Sequence, residues 1–369
     1  MEALKQQISA ELVECFAHHL QKHLQSFSAK DFSTLILSQL EPLALKQRIQ
    51  LIADELHRQL PSKLPERYHI MQAILRPRPN QYSDEQGISG WGSLVLTTVI
   101  GQHGLGAFKS SLAMLKTMTA HFSSEFAVRY FLLADQSRAL AIMEKWLDDP
   151  NHHVRRLVSE GTRPRLPWAM QLPQLIDNPA PILPLLTALR DDPEEYVRRS
   201  VANHLNDIGK DHPELLAELA LQWMQDANPQ RLKLLRHASR TLLKQGHPKI
   251  LGAFGLNAHQ FILQPLRLTP ARIQMGDAIV FSCTIQSTAK SAQTLMIDYL
   301  LHFKKANGQQ SAKVFKWKQI VLMPGETIEL QRRHVIRPIT TRRYYQGQQS
   351  LSLRINGRDL GWVDFELEV

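Results

Sequence analysis

The sequence predicts a helical-repeat solenoid followed by a small all-β sandwich. Three observations carry that reading. Apolar residues recur at three- and four-residue spacing from residue 1 to about residue 255. A block that opens with Asp149-Pro150 returns 43 residues later. From Asp277 onward the apolar period drops to two. The expected organisation is an all-α HEAT-like repeat domain at 1–255, a linker at 256–271 and an immunoglobulin-like β-sandwich at 272–369.

The helical period shows in Phe32, Leu35, Ile36 and Leu40, and again in Leu45, Ile49, Ile52 and Leu56. The longest polar break in this half is RPRPNQYSDEQGISGWG, Arg76 to Gly92, read as a loop between an N-terminal helical unit and the rest. In the repeat, Asp149-Pro150, Val154-Arg155-Arg156 and Val158 return as Asp192-Pro193, Val197-Arg198-Arg199 and Val201, each offset by 43 residues. Fainter copies stand at Asn228-Pro229 with Leu232, Leu235 and Arg236, and at Phe126-Ala127-Val128-Arg129. A period of about 40–47 residues with two helices per unit suggests HEAT-type repeats. On this reading the Asp caps each second helix, the Pro fits its first turn, the valines face the core and the arginines project from one side.

In the C-terminal part, Ile279, Phe281, Cys283 and Ile285 alternate with mostly polar neighbours. Leu295, Ile297, Tyr299, Leu301 and Phe303 repeat the spacing less cleanly. Turn signals stand at Asn307-Gly308, Pro324-Gly325, Gln346-Gly347 and Asn356-Gly357. About seven short strands in roughly 100 residues describe an immunoglobulin- or fibronectin-type sandwich. The Cys…Trp…Cys pattern of antibody domains is absent, so the architecture alone is read.

With 369 residues, 43% apolar and 21% charged, the chain has the make-up of a globular protein with room for two or more domains. No apolar run approaches the eighteen or so residues of a membrane span. The N-terminus lacks the apolar core of a signal peptide, and a cytoplasmic location is expected. Cys15 and Cys283 stand too far apart in sequence to suggest a disulfide framework. The sixteen histidines show no zinc-ligand spacing with cysteine, so no metal is expected. GQHGLG, Gly101 to Gly106, lacks the Gly-Lys-Ser/Thr ending of a phosphate loop.

A net charge of +10 favours a polyanionic partner. The excess is concentrated late: residues 256–369 hold 15 Lys and Arg against 8 Asp and Glu. Lys316 and Lys318 share one strand face, opposite Phe315 and Trp317. With Arg332 and Arg333 they form a candidate nucleic-acid contact, a solvated outer face being the alternative.

The most pointed stretch is HHVRRLVSEGTRPRLPW, His152 to Trp168. Arg156 and Glu160 share a helix face. Arg199, Asn203 and Asp207 fall on one stripe, and Glu125 and Arg129 repeat the four-residue step. Three adjacent helices thus each offer a cation and a carboxylate. Spacing alone allows surface ion pairs worth about 0.3–0.5 kcal/mol each. Trp168, in an Arg- and Pro-rich loop just beyond Glu160, is unexplained by a solvated face, although a core tryptophan is an alternative.

The runs FAVRYFLLADQSRALAIMEKWLDDPNHHVRRLVSEGTRPRLPWA and YVRRSVANHLNDIGKDHP, residues 126–169 and 196–213, resemble the bacterial DNA alkylation repair glycosylases of the AlkC type. These are relatives of the AlkD family in the HEAT-like glycosylase superfamily. One branch carries a C-terminal immunoglobulin-like domain, the layout read here. The resemblance implies a monofunctional DNA glycosylase acting on duplex DNA that contains N3-alkylated bases, 3-methyladenine and 3-methylcytosine. It implies catalytic roles for Glu125, Glu160, Asp207, Trp168 and Arg156, with Arg156 on a phosphate beside the lesion. Arg129, Arg155, Arg163, Arg165, Arg198 and Arg199 would contact DNA, Arg155, Arg163, Arg165, Arg198 and Arg199 along the backbone. An alkylated base is already cationic, so it leaves without a general acid, and carboxylates beside the sugar stabilise the oxocarbenium charge that develops. No base flipping is expected, in keeping with the lack of an aromatic-lined pocket motif. A monomer without cofactor is expected. The rival readings are a non-catalytic HEAT-repeat scaffold for nucleic acid and a protein-interaction solenoid.

Overall fold

A computed structural model of the chain describes residues 2–256, 260–339 and 342–369. Two compact units result: Met1–His212 with Asn228–Ala238, and Pro213–Ala227 with Ser239–Val369. Among the described residues no helix is long and apolar enough to cross a membrane.

The first unit is helical. Helix His152–Gly161 packs on helix Glu195–Asp211, which packs on helix Pro229–Ala238. Val154, Leu157 and Val158, and one repeat later Val197 and Val201, are buried between them, as the 43-residue pattern requires. The capping expectation fails for the first two copies. Asp149 and Asp192 lie ahead of the helices, and each accepts from the backbone N–H two residues on (Asn151 and Glu194, both 2.9 Å). Asn151 then caps its helix by accepting from the N–H of His153. Aspartate two residues before an N-cap closes a turn more readily than it reaches the helix. Only the third copy has the cap and the proline where they were expected, with Asn228 accepting from Arg231 and Pro229 as the first helical residue.

The first arginine of the two clear copies has a common role. Arg155 donates to the carbonyls of Asp149 (2.8 Å) and Pro150 (3.3 Å), and Arg198 donates to those of Asp192 and Pro193. Each arginine staples its helix to its own Asp-Pro turn, and those carbonyls have no helical partner otherwise. The break at Arg76–Gly92 is not a spacer between subunits of the fold. Its ends pair, the N–H of Ile88 donating to the Ile74 carbonyl (2.7 Å) and that of Arg76 to the Ile88 carbonyl (3.0 Å). GQHGLG closes the helix Trp91–His103 and enters a short 3-10 turn, with no strand before it.

The second unit carries the helices Pro213–Met224, Arg240–Gln245 and Pro248–Ala253 and the sandwich. Nine strands are present among the described residues: β1 (Phe261–Leu263), β2 (Arg267–Thr269), β3 (Arg272–Gln274), β4 (Ala278–Ser287), β5 (Gln293–Lys304), β6 (Gln310–Leu322), β7 (Thr327–Val335), β8 (Gly347–Ile355) and β9 (Arg358–Glu368). β4 pairs along its length with β7 and, in two short stretches, with β2 and β1. The facing sheet runs β3-β9-β8-β5-β6, antiparallel except for the β3–β9 pair. Strands β1 and β2 occupy the stretch 256–271 expected as linker. Pro265 and Pro270 break its alternation, so three-residue strands there leave no periodic signal. Residues 257–259 of that stretch lie outside the described residues.

Ile279, Phe281, Cys283 and Ile285 are buried on the inner face of β4. β5 reads less cleanly because Met296, Asp298 and Leu300 on its other face are buried as well. At Asn356-Gly357 both residues have positive φ (46° and 77°), the two-residue turn that suits the twist of a hairpin. Gln346-Gly347 is no hairpin turn; it ends the long connection from β7 and opens β8.

Candidate functional site

A cleft of about 820 Å³ opens in the first unit. Helices Leu45–Gln59 and Trp91–His103 supply one side, and the turn before helix Val128–Ala134, helix His152–Gly161 and the loop 162–170 supply the other. Two carboxylates from successive repeat segments line it, and a third, Asp207, lies behind them. Arg156 links two of them: its Nη1 donates to Glu125 Oε2 (2.5 Å) and to Ser123 Oγ (2.7 Å), and its Nη2 stands 3.5 Å from Glu160 Oε1. Arg163 links the second pair, donating from Nη1 to Glu160 Oε1 (2.7 Å) and from Nε to Asp207 Oδ2 (2.8 Å). Ser200 Oγ donates to the other Glu160 oxygen at 2.6 Å, and Lys210 to Asp207 at 2.8 Å. Burial works to lower the Arg163 pKa, but Glu160 and Asp207 outweigh it and leave it raised.

Glu125, Arg156, Glu160, Arg163 and Trp168 all line the cleft. Asp207 does not; it is buried beneath Arg163. Glu125 Oε1 accepts no hydrogen bond among the described residues, so this acid keeps free lone pairs toward the cleft.

The loop carrying Trp168 is held from beneath. Arg129 is fully buried, and its donors go to the carbonyls of Met170 (2.6 Å), Gly161 (3.0 Å), Arg163 (2.8 Å) and Pro164 (3.4 Å). Desolvation depresses its pKa to about 10, with Arg163 adding to the effect; it remains a cation at neutral pH. From above, Lys46 Nζ donates to the Trp168 carbonyl (2.5 Å). Trp168 itself is 60% exposed, which answers the core alternative: it stands at the surface, on the edge of the cleft.

Several expected DNA contacts are redirected. Arg129, in the copy FAVR, is the repeat's first arginine and points inward like Arg155 and Arg198, and its full burial keeps it from a phosphate. Arg155 also holds Asp192 through two bonds (2.6 and 3.0 Å) across the repeats, and Arg163 is consumed by the two acids. Arg165 is half-buried in a bidentate pair with Asp211. Arg199 is exposed and pairs with Glu195 at 3.1 Å. The stripe Arg199-Asn203-Asp207 disperses, because Asn203 meets His237 and Asp207 turns to the preceding repeat. In the sandwich Lys316, Lys318 and Arg333 are exposed, with Phe315 and Trp317 inward against Tyr299. Arg332 faces inward over the Tyr299 ring at 5.7 Å. Adjacent strand residues cannot share a face.

The cleft has an aromatic lining although the sequence shows no aromatic-lined pocket motif. Trp91, Phe122, Phe126, Tyr130, Trp168 and Tyr196 line it. They come from four separate segments, which no local motif can reveal. Tyr196 had a signal: it occupies the repeat position of His153, 43 residues earlier. The two rings meet at 5.7 Å, and Arg156 lies over the Tyr196 ring at 5.0 Å.

Behind Glu160, His204 is fully buried, its Nδ1 bonded to the Ser159 carbonyl (2.9 Å) and its Nε2 without a partner among the described residues. Desolvation lowers its pKa to about 4, against the pull of that carbonyl. The unfolded chain therefore binds a proton near pH 6.5 that the folded chain refuses until about pH 4. Stability contributed this way is intact above pH 6.5 and falls with pH across that window, by at most about 1.4 kcal/mol per pH unit. Urea unfolding at pH 7.5, 6 and 5 is expected to show the stability gap between the native protein and His204→Gln shifting against the native protein as pH falls. A constant gap would place the imidazole's titration elsewhere.

Comparison with known proteins agrees with this architecture. Residues 263–369 match the family described as "Uncharacterised protein YhaZ, C-terminal Ig-like domain". The uncharacterized protein YhaZ of Bacillus subtilis (strain 168) is 38% identical over 369 residues, covering all of both chains. The solved structure of Pseudomonas fluorescens alkylpurine DNA glycosylase AlkC, bound to DNA containing an abasic site analog, superposes with a TM-score of 0.91 at 38% identity, covering 99% of each chain. Repeat solenoid, acid–arginine cleft and appended sandwich place the chain in the HEAT-like glycosylase superfamily. Within it, the chain belongs to the AlkC-type DNA glycosylases, in the branch with a C-terminal immunoglobulin-like domain.

Proposed function

We propose that the protein is a cytoplasmic, monofunctional glycosylase that hydrolyses the N-glycosidic bond of N3-alkylated bases, 3-methyladenine and 3-methylcytosine, in duplex DNA, acting as a monomer. The observation that carries this reading is the meeting of Glu125 and Glu160 at one cleft, spaced by Arg156. Alkylation makes the base a good leaving group, and the barrier that remains is the growth of positive charge on the deoxyribose. Fixed carboxylates lower that barrier without reorganising as the charge grows. Glu125, with a free oxygen, orients the attacking water; Glu160 supplies charge from a position locked by Arg163 and Ser200. Asp207 acts one step removed, by drawing Arg163 away from full neutralisation of Glu160. The AlkC of P. fluorescens, named an alkylpurine DNA glycosylase and solved on abasic-analog DNA, supports the alkylated-purine part of that substrate range.

The base leaves without entering the cleft. Trp168 supports this, because it stands 60% exposed at the rim of the cleft, where a sugar of the bound duplex could meet its ring. Incubation with methylated duplex DNA followed by chromatography is expected to release 3-methyladenine and 3-methylcytosine and to leave abasic sites without strand cleavage. Duplexes with an N3 adduct too large for the cleft are expected to be processed as well. Failure of the methylated duplex to release any base would overturn the enzyme reading, and failure of the bulky adduct alone would overturn departure from the stack.

A further inference from the structure

The loop 76–90, which the cleft chemistry leaves unused, is built to a fixed shape. Ser89 is fully buried and ties both limbs: its Oγ accepts from the Asn80 N–H (2.8 Å) and donates to the Asn80 carbonyl (2.7 Å), while Ser83 Oγ donates to the Ser89 carbonyl (2.9 Å). Arg76 pairs with Asp84 at 3.0 Å, and the Asp84 carbonyl bonds His19 at 2.8 Å. Two glycines make the crossing possible. Gly90 has φ +53°, and a Cβ there would stand 1.8 Å from the Gln81 carbonyl oxygen; Gly87 has φ +139°, and a Cβ would stand 2.5 Å from the Arg76 nitrogen. Pro77 and Pro79 stiffen the exposed limb.

This shape presents two side chains to solvent. Arg78 is exposed and has no ion pair among the described residues. Tyr82 is 65% exposed, slightly more than Trp168, and no other large apolar side chain exceeds it among the described residues. The loop also runs straight into the cleft wall. Gly90 is followed by Trp91, and Ser89 Oγ stands 3.3 Å from His121 Nδ1; Trp91 and His121 both line the cleft. An exposed aromatic ring and an unpaired guanidinium on a braced loop beside the cleft fit a nucleic-acid backbone and its bases.

We propose that the loop 76–90 is a duplex contact flanking the lesion, Arg78 on a phosphate and the Tyr82 ring against a base step or sugar. This rests on the reading of the protein as acting on DNA. Fluorescence anisotropy with the full chain and a duplex containing an abasic analog, across a salt series, tests it. Tyr82→Ala is expected to weaken binding about tenfold, the scale of one lost aromatic contact to a base, with Tyr82→Phe restoring it. Arg78→Ala is expected to lower the salt slope by about one. Unchanged affinity in Tyr82→Ala together with an unchanged slope in Arg78→Ala, in variants whose circular dichroism matches the native protein, overturns the proposal. The base-release assay separates the two readings: native protein that binds DNA but releases no base removes the enzyme and leaves the loop contact standing.

Discussion

Glu160→Gln is expected to lower the rate of base release by about 10²–10³ while leaving DNA binding equal or tighter. The amide keeps the shape of a side chain that is buried and holds hydrogen bonds to Arg163 and Ser200. It removes the one property the transition state needs, negative charge at a fixed distance from the sugar. Binding does not suffer, because a carboxylate among phosphates repels them in the ground state. Single-turnover release of 3-methyladenine from duplex DNA, beside a binding isotherm on the same duplex, measures both. A non-catalytic scaffold would show no release from the native protein and tighter binding in the variant. Release that survives Glu160→Gln unchanged would move the catalytic charge to Glu125 alone.

The second large effect is expected from Arg129→Met. The substitution keeps much of the volume and deletes every donor, so the carbonyls of Gly161, Arg163 and Met170 lose their partner inside the protein, while that of Pro164 keeps the Leu172 N–H. An unsatisfied buried carbonyl costs about 1–3 kcal/mol, so with three of them a loss of about 4 kcal/mol is expected in urea unfolding. Base release should fall too, since the same carbonyls hold the loop of Arg163 and Trp168. A surface arginine that tracks DNA would instead cost well under 1 kcal/mol and change only the salt dependence. Equilibrium unfolding and a salt series together decide between the two.

Arg129 also shows what the sequence can convey and what it cannot. The two periods, 3.6 and 2, are local consequences of burying one side of a helix or strand, so helices, sandwich and the 43-residue repeat were legible residue by residue. The acids and cations that meet at the cleft, Glu125, Arg156 and Glu160, were legible through spacing and resemblance. Which of several arginines faces outward was not. Val154-Arg155-Arg156 reads as two equivalent cations, yet helix geometry sends Arg155 to the carbonyls of its own turn and Arg156 to the acids. Spacing of four placed Asp207 on a stripe with Arg199, but its partner is 44 residues back in the preceding repeat. The aromatic walls are assembled from residues as distant as Trp91 and Tyr196, so packing creates a lining that no stretch of sequence contains. Strands β1 and β2 were hidden because proline and brevity erase a two-residue period.

The backbone of Trp168 lies at φ +65°, in the left-handed region. An L-residue with a large side chain pays about 1–2 kcal/mol to stand there, where glycine or asparagine would rest at ease. Stability and activity therefore pull this position in opposite directions. A Trp168→Gly protein should be the harder one to melt and the poorer one at its task, because the same left-handed turn that disfavours tryptophan is what lifts its ring clear of the loop.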